Sequence, residues 1–134
     1  MISVSLARKL RAVGLRWSPV PGDRFVVTDR DMDDDVFVVS DMTIEVHDLP
    51  SGRVIGFNGT VEWALDSVDT TEAVWLPRET QLRELLGATF LGLDRSEDGW
   101  SVRTVVEGVA QTVTDADAEQ AYGMALLQLL ESLH

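Results

Sequence analysis

With 23 acidic and 11 basic side chains in 134 residues, the chain carries a formal net charge of −12, which is high for its size. This charge favours solubility and disfavours binding to nucleic acid or to an anionic membrane. Because the chain has no cysteine, disulfides, thiolate catalysis and Cys-ligated zinc or iron–sulfur sites are excluded. The length and the apolar share of 45% fit one domain with a hydrophobic core.

The first 24 residues differ from the rest in charge, because they hold five of the 11 basic residues and a single acid. Apolar side chains at helical spacing predict an amphipathic helix over residues 3–13. Arg8, Lys9 and Arg11 interrupt the apolar positions, so this segment does not resemble a secretory signal. No apolar run reaches the roughly 20 residues that span a bilayer. We therefore expect a cytoplasmic protein whose basic first helix is solvated, or docks on the acidic body of the chain or on a neighbouring copy.

Short apolar runs between turn residues predict a series of strands after this helix. The alternation in "TIEVHDL" at 43–49 is typical of a half-buried strand, and Asn58-Gly59 is a strong turn signal. A short helix is predicted over residues 61–68 after that turn. The other predicted strands of this part are 15–17, 24–28, 36–40 and 53–58.

A second series of helix and strands follows. The run at 70–77 is a linker or an edge strand, and residues 78–86 predict a second amphipathic helix. The loop "SEDG" joins two predicted strands as a hairpin, and a third strand comes directly after them. These three predicted strands are 89–95, 100–108 and 109–113.

The last helix has the clearest pattern, with Thr114 as its predicted N-cap and acids in its first turns. A broad apolar stripe along it is typical of packing against a sheet, and a partner or dimer surface is the alternative. The stripe consists of Ala118, Ala121, Tyr122, Ala125, Leu126, Leu129, Leu130 and Leu133.

These elements predict an α+β domain over residues 1–134, with an antiparallel, largely meandering sheet on which the helices pack. The C-terminal helix is expected to be central. The order of elements in the first part of the chain resembles the order in the second part. Two α-β-β-β-α halves, 1–69 and 70–134, are therefore an alternative organisation.

The stretch "TDRDMDDDVFVVSD" at 28–41 is the most acidic part of the chain. Asp29, Asp31 and Asp33 match the first three ligand positions of a calcium loop. Asp34 stands where such a loop needs glycine, and Ser40 stands where it needs a bidentate glutamate. We expect an exposed acidic connection between two strands, with weak divalent binding at Asp29, Asp31 and Asp33 as the alternative, and we predict neither a specific metal site nor a cofactor.

Tryptophan is frequent for this length, and Trp63 and Trp75 flank the middle linker. Together with His47 they could line an interface or a cleft. His47 is the only internal histidine and lacks the partners that a His-based metal site needs. The chain has no G-x-S-x-G elbow and no phosphate-binding loop, and we predict no catalytic residue.

Two segments, "VFVVSDMTIEVHDLPSGRVIGFNGTVEWALDSV" and "EAVWLPRETQLRELLG", resemble a family of small uncharacterised bacterial proteins, some of which are labelled pilus assembly proteins. The resemblance covers most of the chain and implies no established activity. Pilus-localisation ATPases need a nucleotide-binding P-loop, which this sequence lacks. The last segment is similar at the level of fold to short phage-associated α-β-α sandwich domains.

We therefore expect a non-catalytic interaction or regulatory module of the bacterial cytoplasm, whose partner is another protein or a second copy in a homodimer. One alternative is a small-molecule-binding or hydrolytic enzyme with a cleft near Trp63 and Trp75. Another is an acidic inhibitor or immunity-type protein that masks a basic partner, which the net charge of −12 suggests.

Overall fold

A computed structural model describes the chain at residues 1–27, 36–39, 44–49, 52–57, 67–69 and 73–133. The acidic residues 28–35, the Asn58-Gly59 turn and Trp63 lie outside these ranges.

The described part contains three helices, nine strands and one 3₁₀ turn, and it confirms the predicted α+β class. In chain order the elements are α1 (Val4–Ala12), β1 (Arg24–Val27), β2 (Val36–Val38), β3 (Ile44–Leu49), β4 (Gly52–Phe57), β5 (Ser67–Asp69), β6 (Ala73–Leu76), α2 (Glu79–Leu86), the 3₁₀ turn (Gly87–Thr89), β7 (Phe90–Ser96), β8 (Gly99–Val106), β9 (Val109–Asp115) and α3 (Ala118–Ser132).

The strands form three three-stranded sheets, in the orders β2-β1-β6, β3-β4-β5 and β7-β8-β9. The second and third are antiparallel meanders, and in the first sheet β1 and β2 pair antiparallel. The chain divides into two compact units: unit 1 is Met1–Arg16 with Leu76–His134, and unit 2 is Trp17–Trp75. The alternative of two sequence halves, 1–69 and 70–134, stays a prediction.

In unit 1, α3 is the central element, because it packs on α1, α2, β8 and β9. The predicted apolar stripe is buried in its first part, where Ala121, Tyr122, Ala125 and Leu126 are at most 2% exposed. Leu133, at the end of the stripe, is 66% exposed. The prediction that this stripe is core is therefore right for its first two turns and wrong for its end.

Helix α1 is bounded by Ser3, which caps its start, and by Gly14, which follows its end. The hydroxyl of Ser3 accepts a hydrogen bond from the backbone N–H of Leu6 at 3.1 Å, which caps the first turn. Leu6 and Leu10 are buried. Gly14 follows the helix with φ of +105°, a conformation that L side chains rarely adopt.

A glycine allows α1 to approach α3 closely. A Cβ at Gly123 would lie 2.7 Å from Leu6 Cδ2 and 3.2 Å from Ile2 Cγ2. Gly123 therefore costs α3 helix propensity but leaves room for the apolar face of α1. Helix α3 thus packs against both the sheet and α1.

The start of α3 differs from the prediction. Thr114 is not the N-cap, because β9 continues to Asp115 and the helix begins only after Asp117. The side chain of Asp115 accepts a hydrogen bond from the backbone N–H of Asp117 at 2.9 Å and so turns the chain out of the sheet. The strand pairing with β8 holds Thr114 in extended conformation and overrides its capping preference.

Unit 2 has an aromatic core under β1 and β2. The Trp17 and Phe25 rings lie 5.2 Å apart and the Phe25 and Phe37 rings 5.6 Å apart, measured between centroids. Val27, Val39 and Ala73 are buried in the same cluster.

The predicted strand at 15–17 is wrong, because these residues have no strand conformation. The predicted helix at 61–68 is wrong at its end, where β5 pairs with β4, and its earlier residues lie outside the described ranges.

A buried carboxylate fixes the loop before β1. Asp23 is 1% exposed, and its Oδ2 accepts hydrogen bonds from Trp17 Nε1 at 2.9 Å and from the Val20 backbone N–H at 3.1 Å. The Asp23 backbone also pairs with Val39, whose N–H donates to its carbonyl at 2.8 Å.

Replacing Asp23 with alanine is expected to lower the free energy of unfolding by about 2 kcal/mol, because the Trp17 and Val20 N–H groups lose their acceptor. Asp23→Asn keeps a side-chain oxygen in the same place and should lose roughly half as much. Urea unfolding of both variants measures the difference. Equal losses would show that the carboxylate charge, not the acceptor, matters.

Candidate functional site

One face of the β7-β8-β9 sheet in unit 1 is largely exposed. Strand side chains alternate between two faces. The inner face packs towards α3 and contains the buried side chains of Val102, Thr104 and Val113. The outer face has two cross-strand rows of polar character. One row is Asp94, Ser101 and Thr114, and the other is Gly92, Arg103 and Thr112.

Arg103 lies flat across the outer face because strand β7 has a glycine opposite it. A Cβ at Gly92 would lie 2.5 Å from Arg103 Nη2, so any larger residue would displace the guanidinium. Arg103 Nε donates a hydrogen bond to Asp94 Oδ2 at 2.6 Å. Both side chains remain about half exposed, so the pair fixes the orientation of Arg103 more than it stabilises the fold.

The rest of the outer face presents hydroxyl groups. Ser101 Oγ and Thr114 Oγ1 share a hydrogen bond of 2.7 Å across the β8–β9 pair. Thr112 and Ala110 are exposed on the neighbouring positions of β9. The face is therefore mainly polar, and its charged pair, Arg103 with Asp94, is internally neutralised.

The two edges of this sheet differ. Strand β7 carries a register irregularity between Phe90 and Gly92 and charged side chains at Asp94 and Arg95, which are features that discourage pairing with another strand. Strand β9 has neither feature. Its ladder with β8 is regular over all seven residues, and it carries no charged side chain before Asp115. Within the described part of the chain, no strand pairs with its other edge.

A second polar cluster lies at the start of α2 and α3, and its groups bind one another. The Met1 amino group donates to Asp117 Oδ2 at 3.0 Å and forms an ion pair with Glu119 Oε1 at 2.9 Å. Glu119 Oε2 accepts a hydrogen bond from the Glu79 backbone N–H at 2.8 Å. The cluster therefore ties three elements together, which is a structural role.

Burial alone would lower the pKa of the Met1 amino group, but hydrogen bonds to Glu119 and Asp117 and their negative charges raise it above its ordinary value. A raised pKa in the folded state means that the folded chain holds this proton more tightly than the unfolded chain. The stabilisation is therefore complete below a pH of about 8 and is lost as the pH rises through the folded pKa.

Tyr122 connects this cluster to the core. Its ring lies 5.6 Å from the Phe90 ring, and the residue is 1% exposed. Burial raises the pKa of the Tyr122 phenol, and the charge of Glu79 raises it further, while Arg83 opposes both effects. The neutral phenol is therefore the form that the folded protein favours.

Because Tyr122 is the only tyrosine, absorbance at 295 nm reports its ionisation directly. The folded chain is expected to titrate above the ordinary phenol pKa of about 10, and the chain in denaturant at about 10. Stability should consequently decrease as the pH rises past about 10, because the unfolded state releases this proton first. Identical midpoints with and without denaturant would contradict the assignment.

The residues predicted as sites are placed as follows. His47 lies on β3 opposite Val54, and Trp75 lies on β6, in a different sheet. Trp75 is half-buried, and its indole nitrogen is buried without a hydrogen-bond acceptor among the described residues. Trp63 and the acidic residues Asp29, Asp31 and Asp33 lie outside the described ranges. The cleft and the weak divalent site therefore stay predictions.

The described residues contain no group of three or more His, Asp or Glu side chains that could hold a metal ion. None of their helices combines the length and the apolar character needed to cross a membrane.

No protein-family model, curated protein or solved structure matches the chain significantly. The candidate site therefore rests on the geometry of unit 1 alone.

Sequence reasoning missed Arg103, Asp94 and the free edge of β9. The pairing of β7 with β8 near their hairpin could be predicted, because the loop "SEDG" fixes which residues of the two strands face one another. The register irregularity near Gly92 was not readable, and without it the pairing of Gly92 with Arg103 cannot be placed.

Proposed function

We propose that the protein is a non-catalytic interaction module of the bacterial cytoplasm that binds an extended polypeptide segment along β9. The observation that carries the proposal is the contrast between the two edges of one sheet. Strand β7 carries a register irregularity and charged side chains. Strand β9 pairs regularly with β8, is uncharged over Val109–Thr114, and has no partner strand on its other edge in the described part of the chain.

An added strand gains its affinity from backbone hydrogen bonds and its specificity from alternate side chains. On β9 the outward-facing positions are Ala110, Thr112 and Thr114, which are small and polar or apolar. The guanidinium of Arg103 lies over β7, beside Asp94 and Gly92, so it does not cover the edge of β9.

The proposal is tested by selecting from a displayed library of random extended peptides with the native chain as bait. Thr112→Lys is the counter-bait, because an edge lysine discourages strand pairing. Leu91→Lys, an exposed position on the edge strand β7, is the matched control. We expect peptides that bind the native chain and Leu91→Lys but not Thr112→Lys, and that protect β9 amides from hydrogen exchange. Peptides that protect other amides, or no selected peptides, would overturn the proposal.

The predicted cleft near Trp63 and Trp75 and the acidic-inhibitor hypothesis receive no specific support from the described residues. Both therefore stay predictions beside the strand-binding proposal.

A further inference from the structure

The free edge of β9 suits one occupant in particular. Strand β9 spans seven residues with Thr112 at its centre. Two copies of an antiparallel strand related by a two-fold axis present identical surfaces to each other, which is the usual symmetry of protein dimers. We infer that β9 pairs antiparallel with β9 of a second copy, with Thr112 opposite Thr112. This inference rests on the proposed strand-binding function and names its partner.

Charge does not oppose this register, despite the net charge of −12. With Thr112 at the centre, Gln111 lies opposite Val113 of the second copy, and Ala110 lies opposite Thr114. Asp115, the only charged residue of β9, lies opposite Val109. No like charges therefore face each other directly, and two threonines form the central pair, which is a favourable cross-strand combination.

Burial of Val109 is a second gain from this pairing. Val109 is on the inner face of the sheet and is 57% exposed, although Val113, on the same face of β9, is buried. In the proposed pairing, Val109 has Asp115 of the second copy opposite it and Val113 of the second copy on the diagonal, within reach of an apolar side chain. The exposed end of the strand thus acquires an apolar neighbour.

The pairing also joins two outer faces. Arg103 lies opposite Thr112 on β8, so one cross-strand row would run from Arg103 through both Thr112 residues to Arg103 of the second copy. Three strand spacings, roughly 14 Å, separate the backbones of the two arginines. A continuous six-stranded sheet would therefore display two fixed guanidinium groups on one surface.

Cysteine cross-linking tests the register, because the chain has no cysteine of its own. Thr112→Cys is expected to form a disulfide-linked dimer on mild oxidation. Ala110→Cys is the matched control, since its symmetry mate lies four residues away along the strand, roughly 14 Å, too far for a disulfide. A mixture of Ala110→Cys and Thr114→Cys should cross-link where neither variant does so alone.

Sedimentation of the native chain supplies the independent measurement. We expect twice the chain mass of 14.8 kDa at high protein concentration, the chain mass for Thr112→Lys and twice the chain mass for Leu91→Lys. A native monomer at all concentrations, or self-cross-linking of Ala110→Cys, would overturn this inference. Peptide binding that is lost in Thr112→Lys would still uphold the strand-binding function in that case, so the two failures are distinguishable.

Discussion

Replacing Gly99 with alanine is expected to lower the free energy of unfolding by about 3 kcal/mol. Gly99 begins β8 directly after the hairpin loop, with φ of +119°, where an L side chain is strained. A Cβ there would lie 2.4 Å from the Asp115 carbonyl oxygen and 2.8 Å from Ala116 Cα. Both are backbone atoms, so β9 or the turn into α3 has to move.

Gly108→Ala is the matched control for Gly99→Ala. Gly108 also has a positive φ, +78°, but no atom lies within 4 Å of the Cβ that alanine would add. This variant introduces backbone strain without a steric clash and should lower the free energy of unfolding by about 1 kcal/mol. Denaturant unfolding of both variants gives the comparison. Equal losses would show that the close approach of Asp115 contributes nothing.

Leu126→Ala is expected to lower the free energy of unfolding by about 3 kcal/mol, within the range seen for leucine-to-alanine substitutions in protein cores. Leu126 is 1% exposed, on the helix that packs against β8 and β9. Its removal takes apolar surface from the core and leaves a cavity that the surrounding side chains fill only in part.

The same helix provides the control for this substitution. Leu133→Ala makes the identical chemical change at a position 66% exposed and should alter stability by less than about 0.5 kcal/mol. Thermal or urea unfolding of both variants measures the difference. A comparable loss in Leu133→Ala would mean that the end of α3 is covered by a surface that its exposure does not reveal.

Local patterns in the sequence were enough to predict most elements of unit 1. Helices α1 and α2 and the β7–β8 hairpin have the periodicity, caps and turn residues that determine their conformation within a few positions along the chain. The start of α3 was not predictable in this way. Thr114 is a good N-cap in isolation, and only its pairing with Ser101 on another strand keeps it extended.

The candidate site was harder to predict from the sequence than the fold, because it depends on which edge of the β7-β8-β9 sheet remains free. The alternation along β8 places Arg103 and Ser101 on the same face of the strand. Strand order and the irregularity in β7 decide which side chains meet there, and both arise from contacts between segments distant in sequence. Exposure of β9 is likewise a property of the assembled sheet.

The contact between α1 and α3 has a consequence for synthesis. The Met1–Asp117 hydrogen bond joins positions 116 residues apart, so α1 leaves the ribosome long before the helix that covers it. A nine-residue helix is marginal alone, and its apolar side chains Leu6 and Leu10 stay accessible until α3 has been translated. The nascent chain therefore passes through a long interval in which these apolar side chains are exposed to water.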